Sequence, residues 1–183
     1  PNLYIVLVGP AGSMKSSAMN VGKGILRSLQ GFPVAPSSMT REALIMTLGD
    51  NKIEYEFQGR TYKYHQASAF VTELQEFIGG KHINQAMVGF MTAVWDETEV
   101  EYKTANKKEV VIPSPYFTML GCCTNDWITT KLKSDVISDG FTRRVIFVLE
   151  DEPSEYVSWP TNSARKEHAH EIMVAEAERM HKM

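Results

Sequence analysis

The sequence predicts an α/β protein built on a central, mostly parallel β-sheet. Three observations lead there. Four short, nearly continuous apolar runs, 3–8, 68–72, 116–123 and 145–149, read as buried strands; unbroken rather than alternating apolarity suits a parallel sheet covered on both faces. Stretches of helical periodicity lie between them. The first run is followed at once by a Gly-rich turn that opens into a helix-like segment.

That turn carries the clearest chemistry. Leu3-Tyr4-Ile5-Val6-Leu7-Val8 leads into Gly9-Pro10-Ala11-Gly12-Ser13-Met14-Lys15-Ser16, with Ser17 next. Strand, glycine-rich loop and helix in this order form a phosphate-binding loop in its required setting. Glycines let backbone N–H groups turn inward onto phosphate oxygens, and the helix start adds a favourable dipole. Lys15 can reach the outer phosphates of ATP, and the Ser16 hydroxyl can ligate Mg²⁺. The usual motif has Gly directly before the Lys. Here that residue is Met14, which fits without strain only if the backbone there is not left-handed.

The other elements follow in order. From Lys15 to Gln30, Val21, Ile25 and Leu29 recur at helical spacing, and Gly31 is a C-terminal stop. Thr40 reads as an N-cap, with Met39 and Leu44 placed as a hydrophobic staple. Ile53–Phe57 and Thr61–Tyr64 flank Gln58-Gly59-Arg60 as a hairpin. Ile83, Met87, Phe90, Met91 and Val94 suit an amphipathic helix over 83–95. A second hairpin pairs Glu99–Tyr102 with Glu109–Ile112 across a polar tip, Lys103 to Lys108. The last segment, 163–183, reads as a charged helix with Ile172, Met173 and Met180 along one side. The expected organisation is a core over 1–152, then a linker and helix over 153–183. A start at Pro1 and an end inside a helix suggest a domain cut from a longer protein.

Composition narrows the function. The 183 residues suit one domain with a real core. A net charge of −3 rules out general attraction to nucleic acid, so any DNA contact needs a local patch. Cys122 and Cys123 are adjacent inside an apolar run, which implies free buried thiols and a reducing compartment such as the cytoplasm. No signal peptide and no membrane-spanning stretch is visible. His168 and His170 point in different directions on a helix, and the methionines read as core.

An ATPase also needs a carboxylate at the end of a neighbouring strand, to act through the Mg²⁺ hydration shell or orient the attacking water. Two sites offer one. Glu73 ends the run Ala69-Phe70-Val71-Thr72, with Thr72 where Asp is usual. Ala93-Val94-Trp95-Asp96-Glu97 matches the pattern literally but continues a helical periodicity. We take Glu73; Asp96 and Glu97 then end a helix in a solvated turn.

The order of segments resembles the P-loop ATPase domain of phage and plasmid replication proteins, helicases and primase-helicases. The resemblance spans about Leu3 to Glu150. It rests on the phosphate loop, Met39-Thr40-Arg41-Glu42-Ala43-Leu44, Phe70-Val71-Thr72-Glu73-Leu74 and Glu101-Tyr102-Lys103-Thr104. It continues in Leu120-Gly121-Cys122-Cys123-Thr124-Asn125 and in Asp139-Gly140-Phe141-Thr142-Arg143-Arg144-Val145-Ile146-Phe147-Val148. Members often lack the Gly before the loop Lys and often carry a small hydroxyl residue before the acidic one. More broadly the chain is similar to AAA+ helicase cores, including superfamily-three viral helicases. The resemblance implies an AAA+-like three-layer sandwich with inserted β-hairpins, ATP and Mg²⁺ as cofactors, and an oligomeric ring on single-stranded or forked DNA. It implies that Asn125 senses the γ-phosphate and that Arg144, with Arg143 in reserve, acts on the next subunit's nucleotide. An Asn just past a buried strand can also hydrogen-bond the attacking water, although Thr-Asn-Asp is equally good turn and cap chemistry. The lysine-rich hairpin tip lies where viral-type helicases contact DNA, which makes Lys103, Lys107 and Lys108 candidates for phosphate contacts; lysines that guard a strand edge are the alternative.

The expected function is therefore ATP-driven work on DNA. One rival is a nucleotide-dependent assembly switch, favoured by Thr72. Another is a small-molecule kinase, which would carry an arginine-rich lid that 126–144 lacks.

Overall fold

The structure is a computed structural model that describes residues 2–29, 31–79, 84–103, 109–132, 140–150 and 163–181. Its centre is a six-stranded sheet. The strands are β1 (Leu3–Val8), β2 (Val34–Ala35), β3 (Lys52–Phe57), β4 (Arg60–Val71), β7 (Pro115–Cys123) and β8 (Val145–Leu149), in the order β2-β4-β7-β1-β8 with β3 on the outer part of β4. All pairings but β3–β4 are parallel. A two-stranded antiparallel sheet of β5 (Val100–Lys103) and β6 (Glu109–Ile112) stands apart.

Helices cover both faces. The period-two alternation of the strands turns Tyr4, Val6, Ala67, Ala69, Val71, Phe117 and Met119 to one side. There they pack on α2 (Arg41–Asp50), α3 (Leu74–Phe77) and α4 (Gln85–Trp95) in one continuous core. Tyr4 is its hub: its hydroxyl donates to the Met91 carbonyl at 2.9 Å, and its ring meets Trp95, Phe117 and Phe141. Burial holds its phenol well above the ordinary range. On the other face, Met19 and Leu26 of α1 (Lys15–Ser28) pack on Leu7, Phe70, Leu120 and Cys122. The charged helix α6 (Ser163–His181) lies against α1.

Caps follow the local chemistry. Thr40 Oγ1 accepts from Ala43 N at 3.2 Å, and Asn84 Oδ1 accepts from Met87 N at 3.2 Å. Met39 and Leu44 both join the core as the staple requires. Both cysteines are buried free thiols; burial pushes Cys122 up and Cys123 up to about 12. No described helix is long and apolar enough to cross a membrane.

Several expectations need correction. The hairpin arm at 61–64 and the strand at 68–72 are one 12-residue strand, β4, because its first half pairs with β3 and its second with β2 and β7. The strands β2 and the short α3 carry too little sequence signal to be foreseen. β8 is an edge strand rather than a buried one: Ile146, Val148 and Leu149 are 53%, 47% and 59% exposed. It has a partner on one side only among the described residues, so its apolar run reports pairing rather than full burial. Ile83 lies outside the described residues, and α4 begins at Gln85 after the Asn84 cap.

Candidate functional site

Parallel pairing aligns the carboxyl ends of β4, β7 and β1, with β7 in the middle. Val8 is level with Cys123 and Val71 with Gly121, so Glu73, two residues past Val71, reaches the level of Cys123. The Gly9-to-Ser16 loop, Glu73 and Asn125 thus share one sheet edge, the edge where open α/β sheets bind ligands. Electrostatics places the same groups together: Lys15 draws the Cys122 and Cys123 thiols down while Glu73 pushes them up, both secondary to burial.

The loop is held at its stem. Gly9 N donates to Cys123 O at 3.4 Å, and Glu150 N donates to Val8 O at 3.0 Å. A Cβ on Gly9 would lie 2.8 Å from the Glu150 carbonyl oxygen and 3.0 Å from Ser13 Oγ, so only glycine lets the chain pass there. Pro10 and Ala11 carry the loop outward, and Ser13 N closes a turn onto Pro10 O at 3.3 Å. The Lys15 ammonium donates to Gly9 O at 2.9 Å, Pro10 O at 2.6 Å and Ser13 Oγ at 3.0 Å. The charge is therefore folded over the loop rather than extended into solvent.

Gly12 has φ +85° and Met14 φ +58°, ψ +16°. Positive φ on both sides of Ser13 bends the chain tightly there, and left-handed residues in such a turn are the ingredient of anion-binding nests. Met14 therefore does not escape the left-handed region; it occupies the conformation for which the usual motif keeps Gly. Its side chain is 69% exposed and packs on little, so the loop shape is imposed by closure between β1 and α1. Left-handed backbone costs a side-chain-bearing residue about 1–2 kcal/mol, against about 0.5–1 kcal/mol of extra chain entropy for glycine. Met14→Gly is expected to raise unfolding free energy by up to about 1 kcal/mol, read by urea denaturation; a loss of stability would contradict the strain.

The first intrahelical bond of α1 is Ala18 N to Met14 O at 3.0 Å, so the N–H groups of Lys15, Ser16 and Ser17 lie ahead of the ladder. No acidic residue stands in that first turn, and Ser16 and Ser17 are exposed. Glu73 is extended and exposed before α3, with no side-chain capping bond. Past β7, Thr124 takes the capping role by accepting from Trp127 N at 3.4 Å. Asn125 opens the short α5 (Asn125–Trp127), which runs into a π-helical turn at Ile128–Leu132. The Asn125 Oδ1 is turned inward, away from solvent.

No group of three or more His, Cys, Asp or Glu able to hold a metal occurs among the described residues. Mg²⁺ at a phosphate site keeps several waters and takes only one or two protein ligands, so it needs no such cluster. Ser16 for the ion and Glu73 for its hydration shell fit the requirement.

The remaining candidates lie elsewhere. Arg144 ends a 3-10 turn at Thr142–Arg144, just before Val145, which is level with Tyr4. That is the opposite end of β1 from the loop, about 16 Å away at ~3.3 Å per residue, beyond the reach of an arginine side chain. There Arg144 makes a bidentate pair with Asp96, Nη2 to Oδ2 at 2.7 Å and Nε to Oδ1 at 3.2 Å, and donates to Gly140 O at 2.8 Å. Asp96 is thus the C-cap of α4 and an ion-pair partner, not a free solvated turn, and Asp96-Glu97 is remote from the Gly9-to-Ser16 loop. Neither the partner nor the fold end was visible in sequence, because 48 residues separate the two groups. Arg143 neighbours Arg144 in the same turn. Lys103 is exposed and lies 3.8 Å from Glu109 across the hairpin, while Lys107 and Lys108 lie outside the described residues.

Compared with known proteins, the chain matches no family model and no curated protein.

Proposed function

We propose that this protein is a Mg²⁺-dependent ATPase of P-loop type that works on DNA as an oligomeric helicase in phage or mobile-element replication. One observation carries the reading: Lys15, the first-turn amides, Glu73 and Asn125 stand at a single sheet edge around the end of β7. Lys15 and the amides from Gly12 to Ser17 would hold the phosphates, exchanging the loop's own acceptors for phosphate oxygens. Ser16 would ligate the metal. The ion held by Ser16 would supply positive charge that offsets the negative charge of the phosphates. Glu73 would orient the attacking water and take its proton. Asn125, between Glu73 and the loop, would hydrogen-bond the γ-phosphate or that water. Arg144 stands too far from its own loop to act there, so a role in hydrolysis would require another copy's nucleotide. The DNA arm of the proposal stays with Lys103, Lys107 and Lys108 at the β5–β6 hairpin.

The assembly-switch reading keeps one specific feature, Thr72 in place of the usual Asp. Turnover decides between them. Mg²⁺-dependent phosphate release that rises with single-stranded DNA is the expected result. Stoichiometric ATP binding with no turnover under any DNA condition would favour the switch.

A further inference from the structure

A second site stands on the face of the sheet that α1 leaves open. An open groove of about 760 Å³ runs along the first halves of β4 and β7, away from the phosphate loop. Four of its lining residues are tyrosines. Tyr55 of β3 is registered with Tyr62 of β4, and their rings stack at 5.2 Å and 17°. Tyr64 meets Tyr55 edge-on at 5.8 Å and Tyr116 of β7 at 5.7 Å. The ladder is not buried: Tyr55 is 47% and Tyr62 40% exposed. Neither ring is needed to fill the core, and neither belongs to either core cluster.

Besides the rings, Phe32 and Ala67, the lining carries polar groups. Gln66, Ser68 and Thr118 supply them from neighbouring positions of β4 and β7. An apolar partner side chain pressed into the groove would cover amide and hydroxyl groups without pairing them, which is unfavourable. A flat ring with hydrogen-bonding edges satisfies both parts: its faces stack on tyrosine and its edge meets the polar groups. Lys63 is the one acidic or basic residue among the described lining residues. It is exposed, at 3.4 Å from Glu54, and Arg60 stands exposed at the ribbon's turn. Charge there is balanced, since Glu54 pairs with both Lys52 and Lys63 and Glu97 stands at Tyr116, so the rings rather than net charge are what the groove offers a ligand.

We infer that the tyrosine groove between the β3–β4 ribbon and β7 binds single-stranded DNA by stacking unpaired bases on Tyr55, Tyr62 and Tyr64. Every base has a π-face, so this contact is sequence-tolerant. The inference rests on the proposed action on DNA for its choice of ligand, but it needs neither nucleotide nor the β5–β6 lysines.

The test uses the chain with Tyr55→Ala/Tyr62→Ala and Tyr55→Phe/Tyr62→Phe variants. The probes are an oligodeoxythymidylate of about a dozen nucleotides, within the usual range of such sites, and an abasic oligomer of equal length. The parent should prefer the base-bearing strand by about ten-fold or more. The phenylalanine variant should keep that preference, and the alanine variant should bind both strands alike, at the abasic level. Melting curves check that each variant is folded. A parent that does not distinguish the two strands, or an alanine variant that still does, overturns the inference; an oligonucleotide-blind groove would leave the tyrosines to a protein partner. Lys15→Ala separates this site from the ATPase reading: it should lose ATP and keep the preference for bases.

Discussion

Lys15→Ala is expected to abolish nearly all ATP binding and turnover. In the proposed function the ammonium would span the outer phosphates, and a hydrogen bond to a charged group is worth about 1.5–3 kcal/mol. Losing two such contacts weakens affinity on the order of 10²–10⁴-fold. The fold should survive, because the three Lys15 bonds all end within its own loop. Lys15→Arg should fare little better, since a planar fork cannot replace a compact charge in a tight loop. Titration with a fluorescent ATP analogue measures the first effect and phosphate release the second. A Lys15→Ala protein that binds and hydrolyses ATP like its parent would refute the phosphate-loop assignment.

The second large effect concerns Glu73. Glu73→Gln should preserve nucleotide affinity and lower hydrolysis about 10²–10⁴-fold, the usual contribution of a positioned general base. The amide keeps the size of the side chain but cannot take a proton. Asp96→Asn provides the contrast. Asp96 stands beside Arg144 at the other end of the sheet, so its loss should leave the chemical step intact within one subunit. It should cost no more than about 1 kcal/mol of stability, since the pair is partly exposed and screened. Turnover of purified variants at saturating ATP ranks them. If Asp96→Asn proves the more damaging, the carboxylate at Glu73 is not the base.

The geometry also bears on Arg144. Its guanidinium is engaged by Asp96 and the Gly140 carbonyl. Any action across a subunit boundary therefore requires that these bonds be exchanged for phosphate oxygens, which makes Asp96 a competitor for the same cation.

Legibility in the sequence tracks the range of the interaction involved. The run from Leu3 to Ser17 already contained a strand, a glycine-rich turn and a helix start, because each is set by neighbours a few residues apart. The Thr40 cap, the Met39–Leu44 staple and both hairpins were readable for the same reason. Glu73 was separable from Asp96 because apolar runs and helical periodicity differ within a dozen residues. The groove tyrosines left only a faint trace, Tyr62 and Tyr64 on one side of a strand with Tyr55 before the turn. Nothing local tells that side from a buried one.

Other features depended on parts of the chain far apart. Which strands neighbour β1, and hence which residues share the loop's edge, follows from burying two helical layers at once. The pairing of Asp96 with Arg144 and the approach of Glu150 to Gly9 are products of that same packing. Most telling is Met14. Its own chemistry disfavours φ +58°, yet the loop must close between a strand locked into the sheet and a helix docked on its face. Local preference of about 1–2 kcal/mol yields there to the much larger energy of burying Met19, Leu26 and the strands beneath them.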